Sequence, residues 1–236
     1  MRIEEQPAYV LHARAYRETS LLLECLTRDH GRVGVVARGV RGTRSRLRRA
    51  QLEPFQALSM DLLMRGELAT LTALESSGAA LSITGDAVLA GLYLNELVVR
   101  MTGRNDPSGP LFATYARTLV RLSGAESLAW TLRRFERDLL DAIGYALPLQ
   151  FDAQTGEALD PQASYHYHVG EGARRCPAGS SKALLGSDLL ALSGDHAPDS
   201  RGLLALRDMM RTVIRFHLGG GELRSWRVLA MAGSRR

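Results

Sequence analysis

The order of apolar and polar positions changes character near residue 78. Before it, apolar residues recur with the two-residue alternation of β-strands. One of these stretches, Thr19–Thr27, is apolar on both faces, as in a strand that is buried on both sides. Five short strands with no long helix among them are typical of a small barrel such as the OB-fold. The predicted strands cover residues 9–16, 19–27, 32–37, 55–64 and 68–75.

After Ser76-Ser77-Gly78 the apolar spacing becomes that of amphipathic helices. Helices are predicted at residues 86–101, 110–122, 126–143, after Ser187, after the N-cap pair Asp199-Ser200, and at 223–231. Between 148 and 181 the pattern dissolves into turns with one strand-like stretch, Tyr165–Val169. We therefore predict an α+β protein: a five-stranded OB-fold barrel at residues 1–80, then a helical domain at 81–236 with an irregular insertion at about 148–181.

The composition excludes several classes of protein. Apolar residues make up 45% and charged residues 23% of 236 residues, which is enough for a buried core. Two cysteines, Cys25 and Cys176, cannot make a secreted disulfide framework. No apolar run has the length of a membrane span, and the N-terminus carries acids where a signal peptide needs bases. We expect a soluble protein of the cytoplasm that is associated with the nucleoid.

The positive charge is concentrated in one segment. Residues 28–49 hold eight arginines and one aspartate, a net charge of +7, whereas the whole chain carries +5. A local arginine patch on a near-neutral body is typical of a protein that binds a polyanion, usually nucleic acid, with an affinity that falls as salt rises. The alternative is a solvated loop that serves solubility alone.

A tyrosine on the first strand adds a second feature of nucleic-acid binding. The alternation places Arg14 and Tyr16 on one strand face, together with Val10 and His12, and Arg17 follows directly. Such a tyrosine can stack on an unpaired base while arginine holds the phosphate, or it can simply close the end of the barrel. The candidate DNA-binding residues are Arg14, Tyr16, Arg17, Arg32, Arg38, Arg41, Arg44, Arg46, Arg48 and Arg49.

Motifs of catalysis and metal binding are weak. The chain has no phosphate-binding loop, nucleophile elbow or HExxH helix, so we predict a protein without catalytic residues or cofactors. His166 and His168 with Cys176 make at most an incomplete zinc site. One rival function is a metal-dependent nuclease; a sequence-specific regulator is another, although no helix-turn-helix is visible. The nuclease would use Asp61, Glu67 and Glu75.

Two predicted helices carry further arginines. Arg133 and Arg137 are i, i+4 neighbours beside an apolar stripe, where like charges repel and a partner's carboxylates would relieve the repulsion. Pairs within the helix, Arg134–Asp138 and Arg137–Asp141, are the alternative, and Arg133 has no acid at i+4. Arg207 and Arg211, with Arg215, form a second basic stripe, which is either a solvated face or a contact for nucleic acid or an acidic peptide.

The chain resembles the bacterial RecO family of recombination mediators over nearly its whole length. The order and spacing of several short segments carry the resemblance. They are YVLHARAYRETSLLLECLT (residues 9–27), GRVGVVARG (31–39), LEPF (52–55), Gly66-Glu67-Leu68 through Leu74-Glu75, GLYLNEL (91–97), Arg134-Phe135-Glu136 through Leu139-Leu140, and Gly144-Tyr145.

This resemblance implies an OB-fold, a helical domain and no enzymatic activity. It implies binding to single- and double-stranded DNA, annealing of complementary strands, and partnership with RecR and with the acidic tail of single-strand-binding protein, so that RecA can load. Arg133 matches a base that flanks the tail pocket, and Arg137, Arg207 and Arg211 are the further candidates for tail binding. Some relatives carry a four-cysteine zinc site in the insertion; here the segment 151–176 offers only Cys176, so no metal is expected.

Overall fold

The computed structural model describes residues 1–40 and 49–233, with side chains described up to residue 228. The chain divides into two compact units: Met1–Ala125 together with Leu223–Arg236, and Glu126–Glu222. No helix in the described part of the chain is long and apolar enough to cross a membrane.

Five strands form a closed barrel in the first unit. They are β1 (Arg2–Tyr16), β2 (Ser20–Thr27), β3 (Gly31–Ala37), β4 (Leu58–Arg65) and β5 (Leu68–Ser76). Their order around the barrel is β1-β2-β3-β5-β4, and β4 closes it by pairing with β1. Neighbours are antiparallel except β3 and β5, which run parallel. This is the five-stranded Greek-key barrel of the OB-fold, so the predicted fold class is confirmed.

Apolar residues fill the barrel. Leu23, Val33, Val35 and Met60 are completely buried and belong to one core cluster. Seven of the eight residues of β2 are buried, which confirms the prediction of a strand covered on both faces. The core extends to Val40 and Leu52, so the chain on either side of residues 41–48 is fixed to the barrel.

Two irregularities in β1 separate the structure from the predicted alternation. The strand begins at Arg2, seven residues earlier than expected, because a register shift between Ile3 and Gln6 interrupts the two-residue pattern. A second shift lies between Val10 and His12. Val10 pairs with Cys25 and faces the core, whereas His12 lies on the outer face, so the expectation that both share a face is wrong. A β-bulge inserts one residue and therefore reverses the faces beyond it.

The described residues contain six α-helices besides the strands. They are α1 (Asp86–Met101), α2 (Gly109–Leu122), α3 (Leu128–Ala142), α4 (Gly186–Ser193), α5 (Ser200–His217) and α6 (Arg224–Gly233). The predicted bounds of α1 agree with the structure, and those of α2, α3 and α5 differ by a few residues at most. Asp199 caps α5 as predicted, accepting a hydrogen bond from the Gly202 amide at 2.7 Å.

A buried polar contact joins α1 to the barrel. Leu11 lies at the bulge in β1, between the paired residues Val10 and His12, and Asn95 Nδ2 donates to its carbonyl at 2.9 Å. The hydroxyl of Tyr115, on α2, donates to Asn95 Oδ1 at 2.7 Å. Burial raises the pKa of Tyr115, so this hydroxyl stays protonated and keeps donating. The network fixes both helices against the outer face of β1.

The second unit contains α3, α4 and α5 with a small sheet. Its strands are β6 (Ser164–His168), β7 (Gly172–Cys176) and β8 (Leu184–Leu185), in the order β7-β6-β8. The sequence predicted a strand close to β6 but neither β7 nor β8. The irregular insertion is therefore built around a hairpin in which His166 lies opposite Arg174 and Ser164 opposite Cys176.

Candidate nucleic-acid-binding surface

The strand register brings four predicted residues to one end of the barrel. Ala15 of β1 pairs with Leu21 of β2, which pairs with Ala37 of β3. The end of β1, the start of β2 and the end of β3 therefore lie side by side. The residues at this end are Arg14, Tyr16, Arg17 and Arg38, which we name the barrel-end surface.

An aromatic ring and a guanidinium lie together on this surface. Tyr16 pairs with Ser20 and, by alternation from the inward-facing Leu21, points outward. It is half-buried and outside the core cluster, so it does not fill the barrel interior. The Arg17 guanidinium lies 5.2 Å from the centroid of the Tyr16 ring. Arginine packed on tyrosine is a cation–π pair, and stacking platforms for unpaired bases use the same two groups.

Arg14 and Arg38 are exposed cations. Among the residues that the structure describes, neither forms a salt bridge. Along the chain the nearest acid to Arg14 is Glu18, in the turn between β1 and β2, and the nearest acid to Arg38 is Asp29. An exposed guanidinium with no carboxylate partner can bind a phosphate without first breaking an internal pair. The positions of these two arginines suit phosphate contacts.

The predicted DNA-binding arginines that follow Arg38 in the sequence divide into two groups. Arg41, Arg44, Arg46 and Arg48 lie outside the described residues. Arg49 opens a short 3₁₀ helix, Arg49–Leu52, and its Nε is 4.0 Å from Glu53 Oε1, both side chains being exposed. A surface pair this long contributes little, so Arg49 stays available to an anion.

Arg32 is placed differently from its neighbours in sequence. Its Nη1 donates to Glu24 Oε2 at 2.8 Å and its Nη2 to the Thr102 carbonyl at 2.8 Å. Arg104 also pairs with Glu24. We name Glu24, Arg32 and Arg104 the β2–β3 clamp. The Arg32 side chain is only 13% exposed. Its hydrogen bond to the Thr102 carbonyl holds the loop after α1 against the barrel.

The same loop covers the outer face of β3. The Asn105 amide donates to the Arg32 carbonyl at 2.9 Å. Gly31 has φ +64°, and a Cβ there would come within 2.0 Å of the Asp106 carbonyl oxygen, so only glycine fits. The strand 2–3 face is the usual ligand face of OB-folds. Here part of it is occupied by the protein's own chain, which leaves the barrel end as the exposed basic region. This role of Glu24 was not predicted, and its signal in the sequence is a lone acid inside the apolar run of β2.

On α3, the two arginines expected to bind a partner's tail are paired internally. Arg133 is 5% exposed, and its Nη2 lies 2.5 Å from Glu136 Oε1. The acid comes at i+3, a spacing that the sequence analysis did not weigh. Arg137 donates to Asp138, to Asp195 and to the Leu192 carbonyl. The expected Arg137–Asp141 pair is replaced by these contacts.

The other α3 pair and the α5 arginines also differ in their partners. Arg134 pairs with Glu126 and Asp195 instead of the expected Asp138. On α5, Arg207 Nε donates to Asp208 at 3.0 Å, and Arg211 is half-buried. Of the four predicted tail-binding arginines, Arg207 and Arg211 are thus more open to solvent than Arg133.

The candidate metal ligands do not assemble. Within residues 1–40 and 49–233, no group of three or more His, Cys, Asp or Glu side chains is arranged to hold a metal ion. His166 Nε2 is 3.1 Å from the Ser181 carbonyl oxygen. In the rival nuclease trio, Asp61 lies opposite Ala73 and accepts the Glu5 amide, while Glu75 lies opposite Ser59. These carboxylates are not brought to one point.

An OB-type barrel with a basic, aromatic-bearing end, followed by a helical region, is an architecture found among nucleic-acid-binding proteins. Comparison with known proteins specifies the family. The model described as "Recombination protein O N terminal" matches residues 1–79, and "Recombination protein O C terminal" matches residues 84–227.

Curated relatives agree along the full length. A protein of Xanthomonas euvesicatoria pv. vesicatoria (strain 85-10) is 45% identical over 241 residues, and one of Stenotrophomonas maltophilia (strain R551-3) is 45% identical over 240 residues. Each alignment covers 100% of both chains, and both relatives are named DNA repair protein RecO. The chain belongs to the RecO family.

Proposed function

We propose that this protein acts in DNA repair as a recombination mediator. It binds single- and double-stranded DNA, anneals complementary strands and, with RecR, helps RecA to load on DNA coated by single-strand-binding protein. It works by binding and not by covalent chemistry, in the cytoplasm at the nucleoid. The observation that carries the proposal is the barrel-end surface, where Arg14 and Arg38 are exposed, without a salt bridge to any described residue, beside the Tyr16–Arg17 stack.

The physical task of annealing is to bring two polyanions together. Each backbone phosphate carries one negative charge, and arginines that neutralise phosphates release condensed counterions. The barrel-end surface supplies this charge, together with Arg49 and the segment arginines Arg41, Arg44, Arg46 and Arg48. Tyr16 supplies a surface on which an unpaired base stacks while its strand is held. Base pairing then begins between strands whose repulsion is lowered.

Retention on coated DNA is the second part of the proposal. The acidic tail of single-strand-binding protein binds the helical region through Arg207 and Arg211, and the internally paired Arg133 and Arg137 support the site from within. Within the described part of the chain the salt bridge of Arg207 is to its exposed neighbour Asp208, and a tail carboxylate can replace that partner at little cost.

Annealing of coated strands tests both parts. Complementary dye-labelled oligonucleotides are covered with single-strand-binding protein, either intact or lacking its tail, and annealing is followed by energy transfer over a salt series without nucleotide. We expect annealing that weakens as salt rises and that requires the tail. Annealing that ignores the tail would contradict the docking role but keep the DNA role, and no annealing at any salt would contradict the mediator function.

A further inference from the structure

A groove in the first unit is unrelated to the barrel-end surface. It lies between α1, α6 and the middle of β1 and has a volume of about 500 Å³. Its walls are mainly apolar, and two of the residues that form them, Leu92 and Val228, are 45% and 48% exposed. We name it the α1–α6 groove. A cavity of this size accommodates a drug-sized molecule or a few side chains of a peptide.

The sequence of α1 explains why the groove is apolar. One face of the helix, which includes Tyr93 and Leu97, is buried. A second face carries Leu89, Leu92 and Val99, spaced three and seven residues apart, and these side chains line the groove. A helix that is apolar on opposite faces is normally covered on both. Here the second face is left partly open, which is the mark of a contact surface.

The acidic residues of the groove are already engaged. Glu96 accepts hydrogen bonds from the amides of Arg224 and Ser225, each at 2.8 Å, and from the Ser225 hydroxyl at 2.6 Å. Burial acts to raise the pKa of Glu96, but these hydrogen bonds and the nearby Arg100 outweigh it and lower the pKa, so the carboxylate stays charged and caps α6. Glu24, at the other wall, is held in the β2–β3 clamp.

The basic residues of the groove are open. Arg100 and Arg224 are exposed, and neither forms a salt bridge with any residue in the described part of the chain. The charge of Arg100 acts on Glu96, but the Glu96 oxygens accept hydrogen bonds from the start of α6. The groove therefore presents an apolar floor with two available guanidinium groups at its rim.

We propose that the α1–α6 groove binds a short apolar peptide segment of a partner protein, with a carboxylate of that segment paired to Arg100 and Arg224. Apolar side chains fit the Leu92 and Val228 walls, and a carboxylate matches the guanidinium geometry. Nucleic acid fits less well, because no Phe, Tyr or Trp lines the described groove for a base to stack on. The inference does not depend on the proposed DNA function.

Binding of defined peptides tests the proposal. The probe is fluorescein-labelled Gly-Asp-Leu-Leu-Leu with a free carboxyl terminus, measured by fluorescence polarisation. Two control peptides separate the contributions: an amidated peptide with Asn in place of Asp, and a peptide with Ser in place of each Leu. The protein variants are Leu92→Asp and the double variant Arg100→Glu/Arg224→Glu. Their matched controls are Val120→Asp, an exposed apolar residue of α2, and Arg65→Glu/Arg117→Glu.

We expect the probe to saturate the protein below about 1 mM and each groove variant to weaken binding about tenfold, while the control variants bind as the parent does. Circular dichroism and melting temperature check that every variant is folded. Equal affinity for all three peptides, unchanged binding to Leu92→Asp, or no saturation below about 1 mM would overturn the proposal. So would a dimer in sedimentation velocity that Leu92→Asp dissociates, because the occupant would then be a second copy of the chain.

Discussion

The arginines at the barrel end and the arginines of α3 lie in opposite electrostatic environments. At the barrel end, Arg14 and Arg38 are exposed and form no salt bridge within the described residues. On α3, Arg133, Arg134 and Arg137 each contact a carboxylate at 2.5 to 3.1 Å and are largely buried. A buried charge is tolerated only when it is paired, whereas an exposed charge is stabilised by hydration and stays available to a ligand.

The two regions therefore contribute to different properties. Asp195 illustrates the structural side, because it accepts hydrogen bonds from both Arg134 and Arg137 and connects α3 to the turn after α4. Among the residues that the structure describes, no acid forms an ion pair with Arg14. Arginine density along a sequence measures potential contacts with polyanions, but the presence of an internal carboxylate decides whether a given arginine is available. We expect changes on α3 to alter stability and changes at the barrel end to alter DNA affinity.

The largest expected effect comes from the buried pair on α3. Replacing Arg133 by Ala leaves Glu136, which is 1% exposed, without its guanidinium. Breaking a buried ion pair costs about 3–5 kcal/mol, because one charge is left in a medium of low polarity. We expect a lower melting temperature by calorimetry, with DNA affinity unchanged at temperatures where the variant is folded.

The double variant Arg133→Met/Glu136→Leu is the control for this prediction. It removes both charges and keeps apolar volume, so we expect most of the lost stability to return. If Arg133→Ala melted with the parent and bound DNA more weakly, then Arg133 would belong with the barrel-end arginines, and the division between the two regions would be wrong.

The second prediction concerns the barrel end. In Arg14→Gln/Arg38→Gln, we expect about tenfold weaker binding of an oligothymidylate at low salt, since two phosphate contacts are lost. The slope of log affinity against log salt should fall by about 1.4, because each contact to a single strand contributes about 0.7. Stability should change by less than about 0.5 kcal/mol, as is usual for exposed positions. Polarisation titrations over a NaCl series measure both quantities.

A variant of equal charge change separates local contacts from net charge. Arg117→Gln/Arg227→Gln removes two exposed arginines from α2 and α6. We expect it to bind DNA nearly as the parent does, with the same salt slope. Equal losses in both double variants would mean that DNA responds to the overall charge of the protein and that the barrel end has no special role.

Much of the fold follows from local patterns. The period of α1, the N-cap at Asp199 and the two-sided apolar run of β2 are properties of neighbouring residues, and each was predicted. The faces of β1 were not, because the bulges near Gln6 and Leu11 arise from pairing with β4 and β2, which lie far away in sequence. A single shift of register reverses every position beyond it.

The basic residues of the candidate site could be predicted from the sequence, but the carboxylates from other elements that pair with them could not. The sequence identified Arg32 and Arg137 as basic residues, yet their partners Glu24 and Asp195 come from other elements. The Arg133–Glu136 pair could have been predicted, because an acid three residues after Arg133 and beside an apolar stripe can only be buried if it is paired. Tyr16 and Arg17 were adjacent in sequence, and their contact follows from that adjacency.

The smallest expected effect is the pH dependence of stability that the pairing of Asp195 with the α3 arginines produces. Burial acts to raise the pKa of Asp195, but the charges and hydrogen bonds of Arg134 and Arg137 outweigh it, so the pKa lies below its usual range. A lowered pKa means that the folded protein favours the carboxylate. The stabilisation is therefore complete above the unfolded pKa of about 3.9 and is lost as pH falls through the folded value.

The variant Asp195→Asn removes this charge but keeps the backbone, since Asn tolerates the φ of +61° found at this position. At neutral pH we expect it to be less stable by at most about 1 kcal/mol, because the carboxylate is partly exposed. Melting temperatures between about pH 2.5 and pH 7 should show the parent and the variant converging below about pH 4. Asp141→Asn, at an exposed position of α3, should show a pH-independent difference. A constant gap for Asp195→Asn as well would mean that this acid does not hold the arginines of α3, and the expected division between the two regions would lose its structural basis.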